Sequence, residues 1–197
     1  MNAHQYSHDH HLCERHSGRS ATSPHECWLR EANCDDMCDI VDWLARPAIA
    51  QWFDFGLGRQ SPPILAVQAM TQSDRHRLRV FGVHGTSRPS GLVAISDVTH
   101  RFGLGSFWVL RDPTRAACAN ITLAASGQVL REGFERDKLH CISAWAAQSN
   151  VRSQRLLTRL GFRLIGLQRN CHVIDGQRMG RLLYDLLPQD LSFPTPI

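Results

Sequence analysis

Apolar positions along this chain follow two periods, and the switches between them mark out the elements. In "DDMCDIVDWLA" (35–45), Met37, Ile40, Val41 and Leu44 recur at helical spacing and make one apolar stripe. Asn33 or Asp35 is placed to cap that helix, and Pro47 ends it. "AIAQWFDFG" predicts a second helical segment that closes at Gly56 and Gly58, and "ILAVQAM" after Pro62-Pro63 predicts a third. Ahead of these, "CWLREA" reads as a short strand from Cys27. "RLRVFGVH" and "SGLVAISDV" predict two antiparallel strands joined by "GTSRPS", with "GSFWVLRD" as the next strand. The helical period returns from Ala119 to Arg136, where Ile121, Leu123, Ala124, Val129, Leu130 and Phe134 supply the apolar face. "LHCISAWAA" then reads as a buried strand bounded by the polar turn Gln148–Asn150. "VRSQRLLTRL" is a basic amphipathic helix stopped by Gly161, a residue suited to a left-handed cap. "FRLIGLQRNCHV" and "RMGRLLYDLL" flank Asp175-Gly176, the dipeptide of a tight hairpin. There is no internal repeat, and the order gives a mixed α+β fold on one sheet.

Composition narrows this picture. At 197 residues, with 43% hydrophobic and 20% charged positions, the chain is expected to be soluble and globular, with one folded unit over residues 26–190. Residues 1–25 are polar and rich in histidine, and are expected as a disordered tail; residues 191–197 form a C-terminal tail. No apolar run reaches membrane-spanning length, and the N-terminus lacks the apolar core of a secretion signal. Seven scattered cysteines, an odd number, point to reduced thiols and a cytoplasmic location. His8, His10, His11, Cys13 and His16 include good metal ligands, yet their spacing matches no closed zinc motif, and Cys34 and Cys38 have no second pair. No metal is therefore expected. Lys138 is the only lysine among 22 basic residues, and the net charge is +4. The one short basic face, Arg152, Arg155 and Arg159, falls short of a nucleic-acid footprint.

The stretch "FERDKLHCISAWAAQSNVRSQRLLTRLGF", followed by "RNCHVIDGQ…LLYDLL", resembles the GNAT superfamily of acyl-CoA N-acyltransferases. It is most similar to the branch containing the ribosomal-protein N-terminal acetyltransferases. The match is good over residues 119–187 and looser back to residue 28. The resemblance implies a mostly antiparallel central sheet with helices on both faces and one splayed pair of parallel strands. It also implies acetyl-CoA, or another acyl-CoA, as co-substrate, with its thioester inserted between the splayed strands.

By the same resemblance, Asn150 would hydrogen-bond the pantetheine arm and Ser153 would protonate the departing thiolate. A backbone N–H around Trp145, Ala146 and Ala147 would polarise the thioester carbonyl. Asn150 also reads as an ordinary helix cap and Ser153 as a first-turn residue. The family's glycine-rich pyrophosphate loop corresponds here to "DPTRAACANIT", which has no glycine. Arg115 or Ala117 takes the basic position, Cys118 or Asn120 the central glycine, and Ala119 and Ile121 complete the cradle at a helix start. Small residues still let a phosphate approach the backbone.

On the acceptor side a general base helps aminolysis, since the attacking amine must be neutral. His172 is the first candidate, a residue type that changes protonation near neutral pH. Asp97 is the second and Glu31 a weaker third. Gly180 stands where the family usually has an acidic residue after the hairpin. Region 45–75, with Trp52, Phe53 and Phe55, is expected to select the acceptor, and Trp52 is expected to pack in the core. The acceptor is a small-molecule amine or a protein N-terminus, and the protein a monomer or homodimer. A second reading remains open: a GNAT-fold protein whose altered site takes its acyl group from an acyl carrier protein, or serves as a non-catalytic binding module.

Overall fold

The computed structural model describes residues 27–115 and 119–192. The expected N-terminal tail, with its histidines, lies outside them, as do Ala117 and Cys118. Seven strands make one sheet in the order β1-β2-β3-β4-β5-β7-β6. They are β1 (Cys27–Glu31), β2 (His76–Val83), β3 (Gly91–Ser96), β4 (Leu104–Arg111), β5 (Cys141–Ala147), β6 (Arg163–Ile174) and β7 (Gln177–Leu186). Among the described residues five α-helices accompany them, α1 (Asp36–Ala45), α2 (Pro47–Ala50), α3 (Ile64–Gln72), α4 (Ala119–Glu135) and α5 (Val151–Leu160), with a short 3-10 helix at Pro188–Asp190. Every neighbouring strand pair is antiparallel except β4 and β5.

The period-two pattern of the strands divides the core into two layers, one on each face. Phe81, Val93, Ile95 and Phe107 point to the face covered by α4 and α5, joined there by Ile142, Ala144, Ala146, Tyr184 and Leu186. Their strand neighbours Leu78, Val80, Leu92, Ala94 and Leu110 point to the opposite face, where Met37, Ile40, Trp43 and Leu44 of α1 and Val67 of α3 close the second layer. Arg79, 8% exposed, is stabilised on the α4 face by ion pairs to Glu31 of β1 and Glu132 of α4. A buried cation needs such partners to offset its lost hydration.

The expected elements recur with one exception. α2 stops after four residues, and the polypeptide from Gln51 to Gly58 runs on as turns rather than as helix. Asp54 accounts for this locally, because its Oδ1 accepts the N–H groups of Gly56 (2.9 Å) and Gly58 (3.1 Å). A side chain that bonds the backbone two residues on competes with helix. Phe53 and Phe55 are drawn onto the α1–α3 core layer, whereas Trp52 is only half-buried and stands outside both layers. Of the three, all partly buried, Phe53 and Phe55 pack against the core and Trp52 does not. The hairpin turn is as expected: Asp175 (φ 48°) and Gly176 (φ 74°) are both left-handed, the pattern of a two-residue β turn.

Candidate active site

The parallel pair β4 and β5 is the place where this sheet comes apart. Three rungs join them, Leu104 to Cys141, Gly105 to Ile142 and Ser106 to Ser143. Beyond Ser106 and Ser143 both strands continue, β4 to Arg111 and β5 to Ala147, without pairing. The gap between them opens toward those two ends. β5 remains anchored on its other side by a full antiparallel ladder to β7. Gln148 N–H donates to Gly180 C=O on β7 (3.1 Å). Backbone groups alternate sides along a strand, so the N–H groups of Trp145 and Ala147 face the gap, and Ala146 N–H faces β7.

Two helix starts stand at the mouth of this gap. α5 follows β5 immediately, and Asn150 is its N-cap: Oδ1 accepts Ser153 N–H at 3.1 Å. The capping reading of Asn150 is therefore realised, and the amide NH2 end has no partner among the described residues. Ser153 is half-buried in the first turn, and its hydroxyl likewise has no partner among them. α4 follows β4 after the turn 112–115 and begins at Ala119. Its first N–H groups lack acceptors within the helix and carry the positive end of the dipole. Asn120 is exposed there, whereas the Ile121 side chain is buried in the core.

Asp112 organises the approach to α4. Its carboxylate is almost fully buried and accepts both the N–H (2.8 Å) and the hydroxyl (2.6 Å) of Thr114. Burial pushes this carboxyl up, but the Thr114 donors together with Arg88 and Arg115 hold it below the ordinary carboxylate range. Arg115 sits 3.6 Å from its second oxygen, partly exposed.

The candidate bases are far apart. Asp97 follows Ser96, the last residue of β3 and the partner of Ser106, so it lies level with the paired part of β4 and away from the open end, at a left-handed φ of 61°. It makes an exposed ion pair with Arg75 (2.9 Å). Glu31 is engaged with Arg79 on β1. His172 lies at the open end, 4% exposed, on the α1–α3 face of the sheet. Its Nε2 is 2.7 Å from Gln51 C=O and its Nδ1 is 3.0 Å from an Arg181 nitrogen. Both ring nitrogens are thus already engaged. Gly180 leaves no room for an acidic side chain: a Cβ there would come within 2.8 Å of the Gln148 amide oxygen and 2.9 Å of Gln168 C=O.

Four residues that the sequence did not single out, Arg181, Asp54, Trp108 and Gln51, complete the acceptor face. Arg181 stacks 4.0 Å over the Trp145 ring and donates to Asp54 Oδ2 at 2.7 Å. The guanidinium holds the Asp54 carboxyl below its usual range against the effect of burial. Phe53 and Phe55 stack on each other and meet the Trp108 ring of β4 edge-on, with centroids 5.6–6.1 Å apart. The one trace of this in the sequence is the pattern Phe-Asp-Phe-Gly-x-Gly, an aromatic pair around a turn-forming aspartate. Gln51 joins through its backbone alone, which no side-chain pattern reveals.

An opened parallel pair with unpaired amides inside it, flanked by two helix starts, is the architecture of an acyl-transfer cleft for a thioester donor. Residues 27–163 match the family model of the acetyltransferase (GNAT) domain, and the chain belongs to that family. It is an acyl-CoA-dependent N-acyltransferase. No curated protein matches the sequence. Among solved structures it is similar to spermidine N-acetyltransferase from Vibrio cholerae in complex with CoA and spermine, at 16% identity and a TM-score of 0.73, covering 84% of this chain and 98% of that one. Mycobacterium smegmatis RimJ in complex with CoA-disulfide is similar at 20% identity and a TM-score of 0.68 (84% and 83% covered). The ribosomal-protein-S5-alanine acetyltransferase from Vibrio fischeri is similar at 19% identity and a TM-score of 0.67 (85% and 96% covered). At these identities the likeness is one of fold. Among the described residues no helix is long and apolar enough to cross a membrane, and no group of acidic, histidine or cysteine side chains is arranged to hold a metal ion.

Proposed function

We propose that the protein transfers an acetyl group from acetyl-CoA to the primary amine of a small molecule or of a protein N-terminus. The observation that carries this is the loss of pairing beyond Ser106 and Ser143 while both strands continue. The donor fits the residues present. The first turn of α4, with Arg115 beside it, suits the pyrophosphate. The unpartnered NH2 of Asn150 suits a pantetheine carbonyl. The acceptor nitrogen attacks the thioester carbonyl carbon, and the N–H groups of Trp145 and Ala147 stabilise the oxygen as it becomes negative. The C–S bond then breaks, and the Ser153 hydroxyl gives its proton to the leaving thiolate, recovering one from solvent. The amine arrives neutral and loses its second proton to water. This route needs no side-chain base, in keeping with the engaged nitrogens of His172 and the remoteness of Asp97. His172 acts as base only if Arg181 first leaves Nδ1. The described cysteines Cys27, Cys34, Cys38, Cys141 and Cys171 are free thiols, which supports a cytoplasmic setting.

Thermal unfolding with acetyl-CoA tests the donor, since a ligand of the folded state raises the melting temperature. Thiol release in the presence of a polyamine, and of a peptide amide with a free N-terminal alanine, tests the transfer. No shift at millimolar acetyl-CoA overturns the reading.

A second reading, a donor held on an acyl carrier protein, is favoured by one feature of α5. Arg152, Arg155 and Arg159 are exposed on one face and make no ion pair among the described residues, so an acidic carrier surface has partners there. Transfer from an acetylated carrier but not from acetyl-CoA selects this reading.

A further inference from the structure

Segment 51–58 crosses the gap between the splayed strands on the face opposite α4 and α5. At one end Phe53 and Phe55 rest on Trp108 of β4. At the other, the Gln51 carbonyl meets His172 of β6 and Asp54 meets Arg181 of β7. Arg181 is the side chain common to the second set. Its guanidinium, 14% exposed, stacks on Trp145 of β5, donates to Asp54, and points another N–H at His172 Nδ1. Arginine is only a donor, so Nδ1 must present its lone pair. The His172 proton then sits on Nε2 and is donated to Gln51 C=O. One cation therefore fixes both the tautomer that holds residue 51 and the carboxylate that shapes residues 54–58.

We propose that Arg181 is the positioning and specificity-determining residue of the acceptor side. It staples segment 51–58 across the gap, and it neutralises Asp54, so that the wall facing the incoming amine carries no unbalanced charge. This rests on the gap being the thioester site. Without the guanidinium, an unpaired carboxylate stands beside the uncovered face of Trp145, a combination that attracts cations. Arg181 thus keeps the site from favouring polycationic acceptors over amines with an uncharged body.

The test compares the wild type with Arg181→Met, Arg181→Lys and Asp54→Asn. Hydrogen exchange is read at the Gly56 and Gly58 amides, and the His172 ring nitrogens are read by nitrogen-15 NMR at pH 7.5. The wild type is expected to show a protonated Nε2 and an unprotonated Nδ1. Arg181→Met is expected to mix the tautomers and speed exchange at both glycines about tenfold, leaving acetyl-CoA affinity within about twofold. Its kcat/KM ratio for spermidine over an alanine-initiated neutral peptide amide is expected to rise about tenfold, and Arg181→Lys is expected to restore the wild-type ratio. Asp54→Asn keeps an Oδ1 acceptor for the two amides but leaves the Arg181 charge unbalanced, so its spermidine ratio is expected to fall below the wild-type value, and it serves if Arg181→Met does not fold. Unchanged tautomer and exchange in Arg181→Met, or a loss of donor affinity equal to the acceptor effect, overturns the proposal. A wild type that shows the stated tautomer but binds no acetyl-CoA overturns the donor reading instead, and leaves the staple standing.

Discussion

Asn150 has two tasks on one side chain, and they can be separated. Its Oδ1 caps α5 through Ser153 N–H, while its NH2 end is the group offered to the donor. Serine caps a helix about as well as asparagine but lacks the NH2 donor. Asn150→Ser is therefore expected to keep the melting temperature while weakening acetyl-CoA about fivefold, the value of one ordinary hydrogen bond. Asn150→Ala is expected to lose about 1 kcal/mol of stability as well. A serine variant that binds as tightly as the wild type leaves Asn150 a cap and nothing more. Ser153→Ala separates binding from chemistry in the same way. A proton given to a departing thiolate matters in the transition state, so kcat should fall about tenfold or more with donor affinity unchanged. Steady-state kinetics beside a binding titration decides it. Equal kcat for the two proteins makes Ser153 a first-turn residue only.

Among the elements, α5 and its exit are the most sharply constrained. Gly161 ends the helix at φ 93°, its N–H reaching Thr158 C=O at 3.1 Å. A Cβ there would fall 1.9 Å from Asp190 C=O in the short 3-10 helix Pro188–Asp190, which packs back onto the helix end through Ser192 N–H and Leu160 C=O. Gly161→Ala is expected to cost about 2 kcal/mol or more, from left-handed strain plus displaced backbone. Gly166 on β6 has open space around it, so Gly166→Ala is expected within about 0.5 kcal/mol of wild type. Urea denaturation of the pair checks this, and equal losses would mean the chain adapts at residue 161. The helix stop, like the strand periods and the Asp-Gly hairpin, was legible because each depends on residues within a turn of one another. Segment 51–58 was not. Its aromatic residues have adequate helix propensity, and the local Asp54 turn that competes with helix is held in place by contacts with Trp108 and Arg181, distant in sequence.

At the scale of the molecule, the sequence order announced the sheet through its resemblance to a family, but it could not say which side chains meet. Arg181 and Asp54 are 127 positions apart, and neither stands in a motif. The charges so brought together give the folded state a definite response to acid. Asp54, beside Arg181, is held below the ordinary range, and Asp36 is held there by Arg30 and Asn33 in spite of burial. Asp112 behaves alike through Thr114. For a carboxyl whose folded pKa is depressed, the stabilisation is complete above the unfolded value of about 4 and is lost as pH falls through the lower folded value. His76 adds an earlier loss. Burial lowers its pKa, and its Nδ1 is buried without a partner among the described residues, so the unfolded chain takes up a proton there that the folded chain resists. Stability should therefore decline gently as pH falls below about 6.5 and more steeply below about 4. His76→Asn is expected to remove the first slope, and Asp54→Asn to flatten part of the second while lowering stability at pH 7. Melting temperatures from pH 8 to pH 3 at constant ionic strength separate the two. A wild-type curve that is flat between pH 7 and pH 5 rules out the histidine contribution, and a steep phase unchanged in Asp54→Asn rules out the ion pair with Arg181 as one of its sources.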